Sequence, residues 1–327
     1  KQFLDIKSKY KNSILLFRMG DFYETFLEDA VITSKILGIV LTKRSNGKAS
    51  NVDLAGFPYH SLDNYLPKLV NAGHRVAICE QVEDPRNIKG IVNREVVEVV
   101  TPGTLMTDRA LNNKSNRFIG SCKIFKNNIG YAFLDASTGD FFVGECNEKE
   151  FRAVVLKYLP NEMIISEEVT YSSLEWYIEY KPFISKINDW MFEFNTAYRE
   201  LLDHFNLTSL NGFGCDDFEA GIPAAGALLK HLKTNLISNL EHISKITPTL
   251  NKGLMNLDVY TIKNLEIFNS LSSSGQHGTL INCIDSTLTS GGGRLLRSWL
   301  INPITNITKI NLRLSVTEEL VLNNKIL

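Results

Sequence analysis

Two aspartates near the middle of the chain stand where carboxylates could hold metal ions. Asp135 ends an apolar run, and Asp140 opens the next one. Carboxylates that meet at one edge of a sheet can bind two divalent ions and support hydrolysis of phosphate esters. Glu145 lies on the strand that follows Asp140, but the later helical segments offer no obvious further carboxylate at a matching place. Because Asp also forms ordinary turns, a metal-dependent nuclease stays open as one interpretation.

Other catalytic sequence patterns are absent from the 327 residues. The sequence has no GxxxxGK[ST] phosphate-binding loop, no complete GxGxxG motif, no GxSxG nucleophile motif and no HExxH zinc motif. The glycine-rich segment Ser290–Arg294 lacks the lysine of a phosphate-binding loop and a preceding strand, so it predicts a loop before a helix. The residues alone therefore predict no enzyme.

Composition and charge are typical of an ordinary globular protein. Hydrophobic residues make up 44% and charged residues 22% of the chain, and the formal net charge is −1. These values exclude whole-chain disorder and a strongly basic, histone-like binder. Five cysteines without a CxxC pair indicate a reduced protein rather than a disulfide scaffold or zinc ribbon. No apolar run reaches the roughly 18 residues of a membrane helix, so we expect no membrane span.

The hydrophobic periodicity predicts two α/β regions followed by a helical region. We assign residues 1–114 to a mixed α/β domain and 115–240 to a second α/β domain that opens with an antiparallel meander of three strands. Residues 241–327 are expected to be the start of an all-α domain. Because the chain begins with Lys1 rather than Met, and residues 316–327 still have a helical pattern, we expect a piece of a longer protein.

The segment Arg18–Glu24 (RMGDFYE) contains a helix-start signal directly after an apolar strand. Asp21 is a suitable N-cap and Glu24 stands at N3, which is a variant of the capping box. The pattern therefore predicts a helix over 22–37, with the phenylalanines of its first turns on the buried face.

A polar segment, 43–51, follows the next predicted strand. It contains Lys43, Arg44, Lys48 and an Asn-Gly turn signal. We predict a positively charged loop, which either contacts the phosphates of a nucleic acid or is a solvated surface loop.

Several short motifs carry a resemblance to a known family. In the first domain they are Arg18–Glu24 (RMGDFYE), Leu41–Arg44 (LTKR), Ala55–His60 (AGFPYH), Asn64–Val70 (NYLPKLV), Val76–Asp84 (VAICEQVED) and Val99–Thr104 (VVTPGT). In this order and spacing they resemble the mismatch-recognition domain of the MutS family of DNA mismatch-repair proteins. Phe133–Gly139 (FLDASTG) resembles the family's connector domain, which has a ribonuclease-H-like fold without its catalysis. Leu257–Ile267 and Gly293–Pro303 resemble the start of its helical core.

The resemblance implies a role for two residues of the first motif. The Phe-x-Glu signature of the bacterial-type members falls on Phe22 and Glu24. It implies that Phe22 enters the minor groove at a mispair as a wedge, and that Glu24 hydrogen-bonds the displaced base. Tyr23 is then expected to be core or support, and Asp21 only a helix cap.

The position of the basic residues in the family favours Arg44 over Lys43 and Lys48 as a contact to the DNA backbone. Tyr59 and His60 precede a helix; they either contact the DNA backbone or pack against the protein, and packing is the expected role.

The resemblance also implies partners and a cellular place. The expected partners are double-stranded DNA with mismatches or small loops, a second copy of the full-length protein and a downstream repair partner, but no membrane. The expected location is the cytoplasm, at the nucleoid. ATP and Mg²⁺ belong to a family domain without a counterpart in these residues, so we expect no cofactor, no metal and no enzyme activity in this part. The alternative is a ribonuclease-H-like, Mg²⁺-dependent nuclease centred on Asp135 and Asp140.

Overall fold

The computed structural model describes residues 2–46, 49–83, 92–105, 114–171, 174–235, 240–249, 253–255, 257–272 and 277–323. These residues form two six-stranded sheets with their helices, followed by a helical segment. The predicted fold class, two α/β units and then the start of an α region, is confirmed. Among the described residues no helix is both long and apolar enough to cross a bilayer. The domain limits 1–114, 115–240 and 241–327 stay predictions.

The first sheet has the strand order β3-β4-β2-β1-β5-β6. Its strands are β1 (Ser13–Met19), β2 (Phe22–Phe26), β3 (Thr42–Asn46), β4 (Ala49–Pro58), β5 (Arg75–Gln81) and β6 (Arg94–Val100). Strands β1 and β5 are parallel, and the other neighbours are antiparallel. The helices of this unit are α1 (Gln2–Lys9), α2 (Glu28–Leu37) and α3 (Leu62–Asn71), and a 3-10 turn at Tyr59–Ser61 precedes α3.

Different helices cover the two faces of the first sheet. Successive side chains of a strand point to opposite faces, and β1 carries apolar residues on both. Ile14 and Leu16 pack in the cluster that includes α2 and α3, whereas Leu15 and Phe17 pack in the cluster that includes α1. Because β1 is buried on both sides, it is a rigid base for the hairpin that follows it.

The predicted helix over 22–37 is wrong in its first part. Residues Phe22–Phe26 form strand β2, and α2 begins only at Glu28. Asp21 is therefore a turn residue and not a helix cap. The burial of β2 alternates residue by residue, and its backbone is paired with β1 on one side and β4 on the other. This long-range pairing outweighs the local capping signal.

The second sheet has the strand order β11-β10-β7-β8-β9-β12. Its strands are β7 (Phe118–Phe125), β8 (Asn128–Asp135), β9 (Asp140–Asn147), β10 (Glu162–Ser166), β11 (Phe183–Ile187) and β12 (Thr247–Pro248). The predicted antiparallel meander is confirmed as β7-β8-β9, and β10 and β11 join it in parallel on the side of β7. A three-strand meander extended in this way is the predicted ribonuclease-H-like topology.

Helices on both faces bury the second sheet. They are α4 (Glu148–Tyr158), α5 (Glu175–Tyr180), α6 (Phe194–Phe205) and α7 (Gly221–Asn235), and 3-10 turns lie at Asp189–Phe192 and Asn211–Phe213. Helices α6 and α7 pack on one face and α4 and α5 on the other. The central strand β8 is buried at every position except Asn128, as expected for a strand covered on both sides.

The final segment contains helices α8 (Val259–Asn264), α9 (Leu280–Ile284), α10 (Ser290–Ile301) and α11 (Ile307–Leu322). Each begins after a side chain that accepts a hydrogen bond from the backbone N–H of its first turn: Asp258, Thr279, Thr289 and Asn306. These are favoured N-cap residue types. The glycines after Ser290 lie in the first turn of α10 rather than in a loop.

Candidate nucleic-acid interface

Phe22 stands at the tip of the β1-β2 hairpin. The turn consists of Gly20 and Asp21, since Met19 pairs with Phe22. Gly20 has a φ of 60°, and a positive φ at only the first turn residue is typical of a type II′ hairpin turn. Phe22 also pairs with Pro58 of β4. Its ring is 47% exposed, so the strand pairing holds the backbone while the side chain faces solvent.

Glu24 lies on the same face of β2 as Phe22, because side chains two residues apart share a face. It is half-buried. Its neighbours across the strands are Phe17 of β1 and Gly56 of β4. A Cβ atom at Gly56 would come within 3.4 Å of Glu24 Cγ and 2.8 Å of the Tyr23 carbonyl oxygen. The glycine thus leaves room for the Glu24 side chain beside the exposed ring.

Tyr23 supports the hairpin from the opposite face. It is buried, and its hydroxyl donates a hydrogen bond to Glu80 of β5. Burial, together with this bond to a carboxylate, raises the pKa of Tyr23 well above its usual range. Tyr23 is therefore a neutral hydrogen-bond donor at ordinary pH, and the predicted role in the core is consistent with its burial.

Arg18 joins the same supporting cluster, which sequence reasoning missed. Its guanidinium lies 3.9 Å from the centre of the Tyr59 ring and 3.6 Å from the Glu80 carboxylate. Tyr59 is 44% exposed, so it packs against Arg18 at the surface and not in the core. His60 is also exposed. The sequence did contain a signal for Arg18. Side chains alternate between the two faces of a strand, so Arg18 lies on the same face of β1 as the buried Leu16.

The predicted positive loop is wrong for the described residues of 43–51, because Lys43 and Arg44 lie in edge strand β3. Lys43 is exposed and pairs with Asp53, while Arg44 pairs with Val52. On strand β4, Val52 lies six residues from Pro58, the partner of Phe22, a separation of about 20 Å at ~3.3 Å per residue. Lys43 and Arg44 therefore lie far from Phe22. Lys48 lies outside the described residues.

The carboxylates of the nuclease alternative are occupied by hydrogen bonds. Asp135 is buried and accepts from the backbone N–H groups of Arg117, Ser137 and Thr138. Its Oδ2 also accepts from Asn116 Nδ2, which bonds Asp140 as well. In the part of the chain that the structure describes, no group of three or more His, Cys, Asp or Glu side chains could hold a metal ion.

Glu145 has a structural role instead of joining the aspartates. Its carboxylate accepts hydrogen bonds from the backbone N–H groups of Ala220 and Gly221, at the start of α7. These N–H groups have no partner within the helix, and a carboxylate there also interacts favourably with the helix dipole. The structure thus brings Asp135 and Asp140 together through Asn116, while Glu145 binds the start of α7.

Comparison with known protein families matches almost the whole chain to consecutive domains of one family. Residues 1–109 match the model of MutS domain I, residues 117–244 that of MutS domain II, and residues 260–327 that of MutS domain III. The chain belongs to the MutS family.

Similar proteins support this assignment to MutS. The DNA mismatch repair protein MutS of Salinibacter ruber is 42% identical over 324 residues, 97% of this chain and 36% of the relative. The MutS of Cytophaga hutchinsonii is 42% identical over 327 residues, 100% of this chain and 38% of the relative. The MutS of Flavobacterium psychrophilum is 43% identical over 314 residues, 96% of this chain and 36% of the relative. The chain thus spans little more than a third of the length of these MutS relatives.

Proposed function

We propose that this chain recognises mispaired or looped bases in double-stranded DNA, as the N-terminal part of a mismatch-repair protein. The observation that supports this most is the exposed ring of Phe22 at the tip of a hairpin whose backbone is paired on both sides. Strand pairing on both sides fixes the backbone at Phe22, so the exposed side chain is presented in a defined position for contact with DNA.

In the proposed mechanism the protein recognises how easily the DNA duplex deforms at a mispair, and not its base sequence. A mispaired step unstacks more cheaply than a paired one. Phe22 enters the minor groove, stacks on one base and kinks the duplex; unstacking costs a few kcal/mol and is offset by the new stacking and backbone contacts. If a mispair lowers that cost by about 1.4 kcal/mol, the protein prefers it roughly tenfold. A phenyl ring suits this role because it has no polar group to satisfy.

Glu24 is proposed to hydrogen-bond a ring nitrogen of the displaced base. Its position on the same face of β2, two residues from Phe22, supports this. Its negative charge is repelled by phosphates, so it also disfavours binding to intact duplex.

The basic residues Arg44, Lys43 and Lys48 are proposed as contacts to the DNA backbone. Since Lys43 and Arg44 lie on β3, we propose that they contact phosphates well away from the kinked step. Such contacts add affinity without sequence information.

The remaining functions are proposed for the full-length protein. They are ATP- and Mg²⁺-dependent signalling by a part outside these 327 residues, formation of a homodimer, recruitment of a downstream repair partner, and a cytoplasmic location at the nucleoid. We propose no catalysis by the present residues, which contain no phosphate-binding loop. The hydrogen-bonded state of Asp135 and Asp140 disfavours the nuclease alternative.

The test is Phe22→Ala in the full-length protein, with binding to mismatched and matched duplexes of the same flanking sequence. We expect the mismatch preference to fall close to unity while thermal unfolding is unchanged. Phe125→Ala is the matched control, since Phe125 is also an exposed phenylalanine (39%) but lies on β7 of the second sheet; it should keep the preference. Equal discrimination by wild type and Phe22→Ala would exclude the wedge.

A further inference from the structure

A cavity of about 770 Å³ lies between the second sheet and the final helical segment. One wall comes from the loop before β7, from β9 and from the end of α4, and the other from α10 and the residues after α8. Its size is within the range of roughly 300–1,000 Å³ that is typical of small-molecule sites. The residues that line the cavity are distant in sequence from the hairpin that carries Phe22. The proposed recognition of DNA does not involve this cavity.

The charges on the cavity wall favour an anion. Four basic side chains line it, Arg117, Lys157, Arg294 and Arg297, against one acidic side chain, Asp140. The Asp140 carboxylate already accepts hydrogen bonds from Asn116 Nδ2 and Thr138 Oγ1, at 3.1 and 3.0 Å.

Two of the four cations have unused hydrogen-bonding capacity. Within the described ranges, the Lys157 ammonium has no hydrogen bond or ion pair, and it lies 5.7 Å from the centre of the Tyr158 ring. Arg297 Nε is buried without an acceptor among the same residues. Desolvation lowers the pKa of both side chains, because a cation that is partly removed from water is destabilised. For Arg297 the nearby Asp285 carboxylate offsets part of this effect. Arg117, by contrast, already donates to the Pro102 carbonyl and to Asn71.

Aromatic side chains form the apolar part of the cavity. Phe142 and Tyr158 line it from the sheet side, with ring centres 5.4 Å apart. Phe268 lines it from the helical side, beneath the Arg297 guanidinium at 5.7 Å. A ligand that fills the cavity therefore needs an anionic group and a flat apolar body.

We propose that this cavity binds a small organic phosphate of nucleoside monophosphate size. Its phosphate contacts Lys157 and Arg297, and its base packs against the aromatic wall of Phe142, Tyr158 and Phe268. Since the two walls belong to different parts of the fold, the bound ligand favours the arrangement in which α10 lies against the second sheet. This inference does not depend on the proposed recognition of DNA.

The test is equilibrium binding of AMP, adenosine and inorganic phosphate to the 327-residue chain. We expect saturable AMP binding that is tighter than that of either adenosine or phosphate, and a rise in the thermal unfolding midpoint with AMP. Lys157→Gln and Arg297→Gln should each weaken AMP binding about tenfold, the effect expected for one charge-assisted hydrogen bond. Lys149→Gln, an exposed lysine on the same helix α4, should bind AMP like wild type.

Three outcomes overturn the proposal. The first is no saturable AMP binding at millimolar concentration. The second is AMP binding that neither Lys157→Gln nor Arg297→Gln weakens relative to Lys149→Gln, with all variants folded by thermal unfolding. The third is equal affinity for AMP and inorganic phosphate, which would show that the aromatic wall does not contribute to binding.

Discussion

Glu162 accepts a hydrogen bond from the Thr101 hydroxyl and thereby joins the two sheets. Thr101 follows β6 of the first sheet, and Glu162 is the first residue of β10 in the second. The carboxylate is fully buried and also accepts from the backbone N–H of Gly103, at 3.2 Å, and from the Ser185 hydroxyl. A buried carboxylate is tolerated only when hydrogen bonds satisfy its oxygens, so this contact fixes how the turn after β6 lies on the second sheet.

Replacing Glu162 should destabilise the chain strongly. Glu162→Ala leaves the Thr101 and Ser185 hydroxyls and the Gly103 N–H without their acceptor, and we expect a loss of about 3 kcal/mol in the free energy of unfolding. Urea denaturation measures it. Glu168→Ala is the matched control: this exposed residue two positions after β10 should change stability by no more than about 0.5 kcal/mol. Similar losses for both variants would contradict the proposed role of the buried carboxylate.

Adding a side chain at Gly130 of β8 should also destabilise the chain strongly. A Cβ atom there would overlap backbone atoms of Ala220 and Gly221, where α7 begins. Backbone cannot move aside as a side chain can, so we expect Gly130→Ala to cost on the order of 3 kcal/mol or to prevent folding. At Gly212, by comparison, a Cβ atom would meet nothing within 4 Å. Chemical denaturation of Gly212→Ala should therefore give nearly wild-type stability. If Gly130→Ala were as stable as Gly212→Ala, the close approach of α7 to Gly130 would be refuted.

His231 should make the chain less stable in acid. Burial, together with the nearby Arg75, lowers the pKa of His231 to about 3. Asn235 Nδ2 lies 2.8 Å from His231 Nε2, a contact in which the neutral ring accepts. Glu162 lies 3.9 Å from the same nitrogen and would favour a proton there, but its oxygens already accept three hydrogen bonds, so burial prevails.

The sign of this effect follows from which state takes up the proton. Above about pH 6.5 the ring is neutral in both the folded and the unfolded chain, and its stabilising contribution is complete. As the pH falls from about 6.5 toward 3, only the unfolded chain is protonated, so folding loses up to ~1.4 kcal/mol per pH unit. Urea unfolding at several pH values should therefore show a shallower acid loss for His231→Gln than for wild type. His277→Gln, at an exposed position, should follow wild type; parallel curves for His231→Gln and wild type would disprove the prediction.

Glu24→Ala should reduce mismatch discrimination in the full-length protein. Removal of the carboxylate eliminates both the repulsion by phosphates and the proposed hydrogen bond to the displaced base. We therefore expect tighter binding to matched duplex and a fall in the mismatch-to-match ratio of up to about tenfold, as measured by fluorescence anisotropy. Glu28→Ala removes an exposed carboxylate at the start of α2 and should leave the ratio unchanged. An unaltered ratio in Glu24→Ala would remove that residue from the recognition site.

The sequence by itself determined the elements whose signals are local. The caps of helices α8, α10 and α11, Asp258, Thr289 and Asn306, each accept from an N–H group three residues on, so these helix starts depend on local sequence. The expected loop before α10 overlooked the Thr289 cap. The alternation of apolar residues and short turns likewise predicted the β7-β8-β9 meander. The ordered motifs of the first domain identified the family, and they are the basis on which Phe22 and Glu24 are proposed as the recognition pair.

Only the tertiary structure decided what distant partners control. The segment 22–26 is a strand because β4, which begins more than twenty residues later, pairs with it; the local capping signal could not include that energy. Lys43 and Arg44, by contrast, lie in a strand because β3 and β4 form a local hairpin, in which they pair with Asp53 and Val52. Asp135 and Glu145 accept backbone N–H groups whose positions depend on the packing of whole elements, so their residue types alone could not distinguish a metal ligand from a structural acceptor.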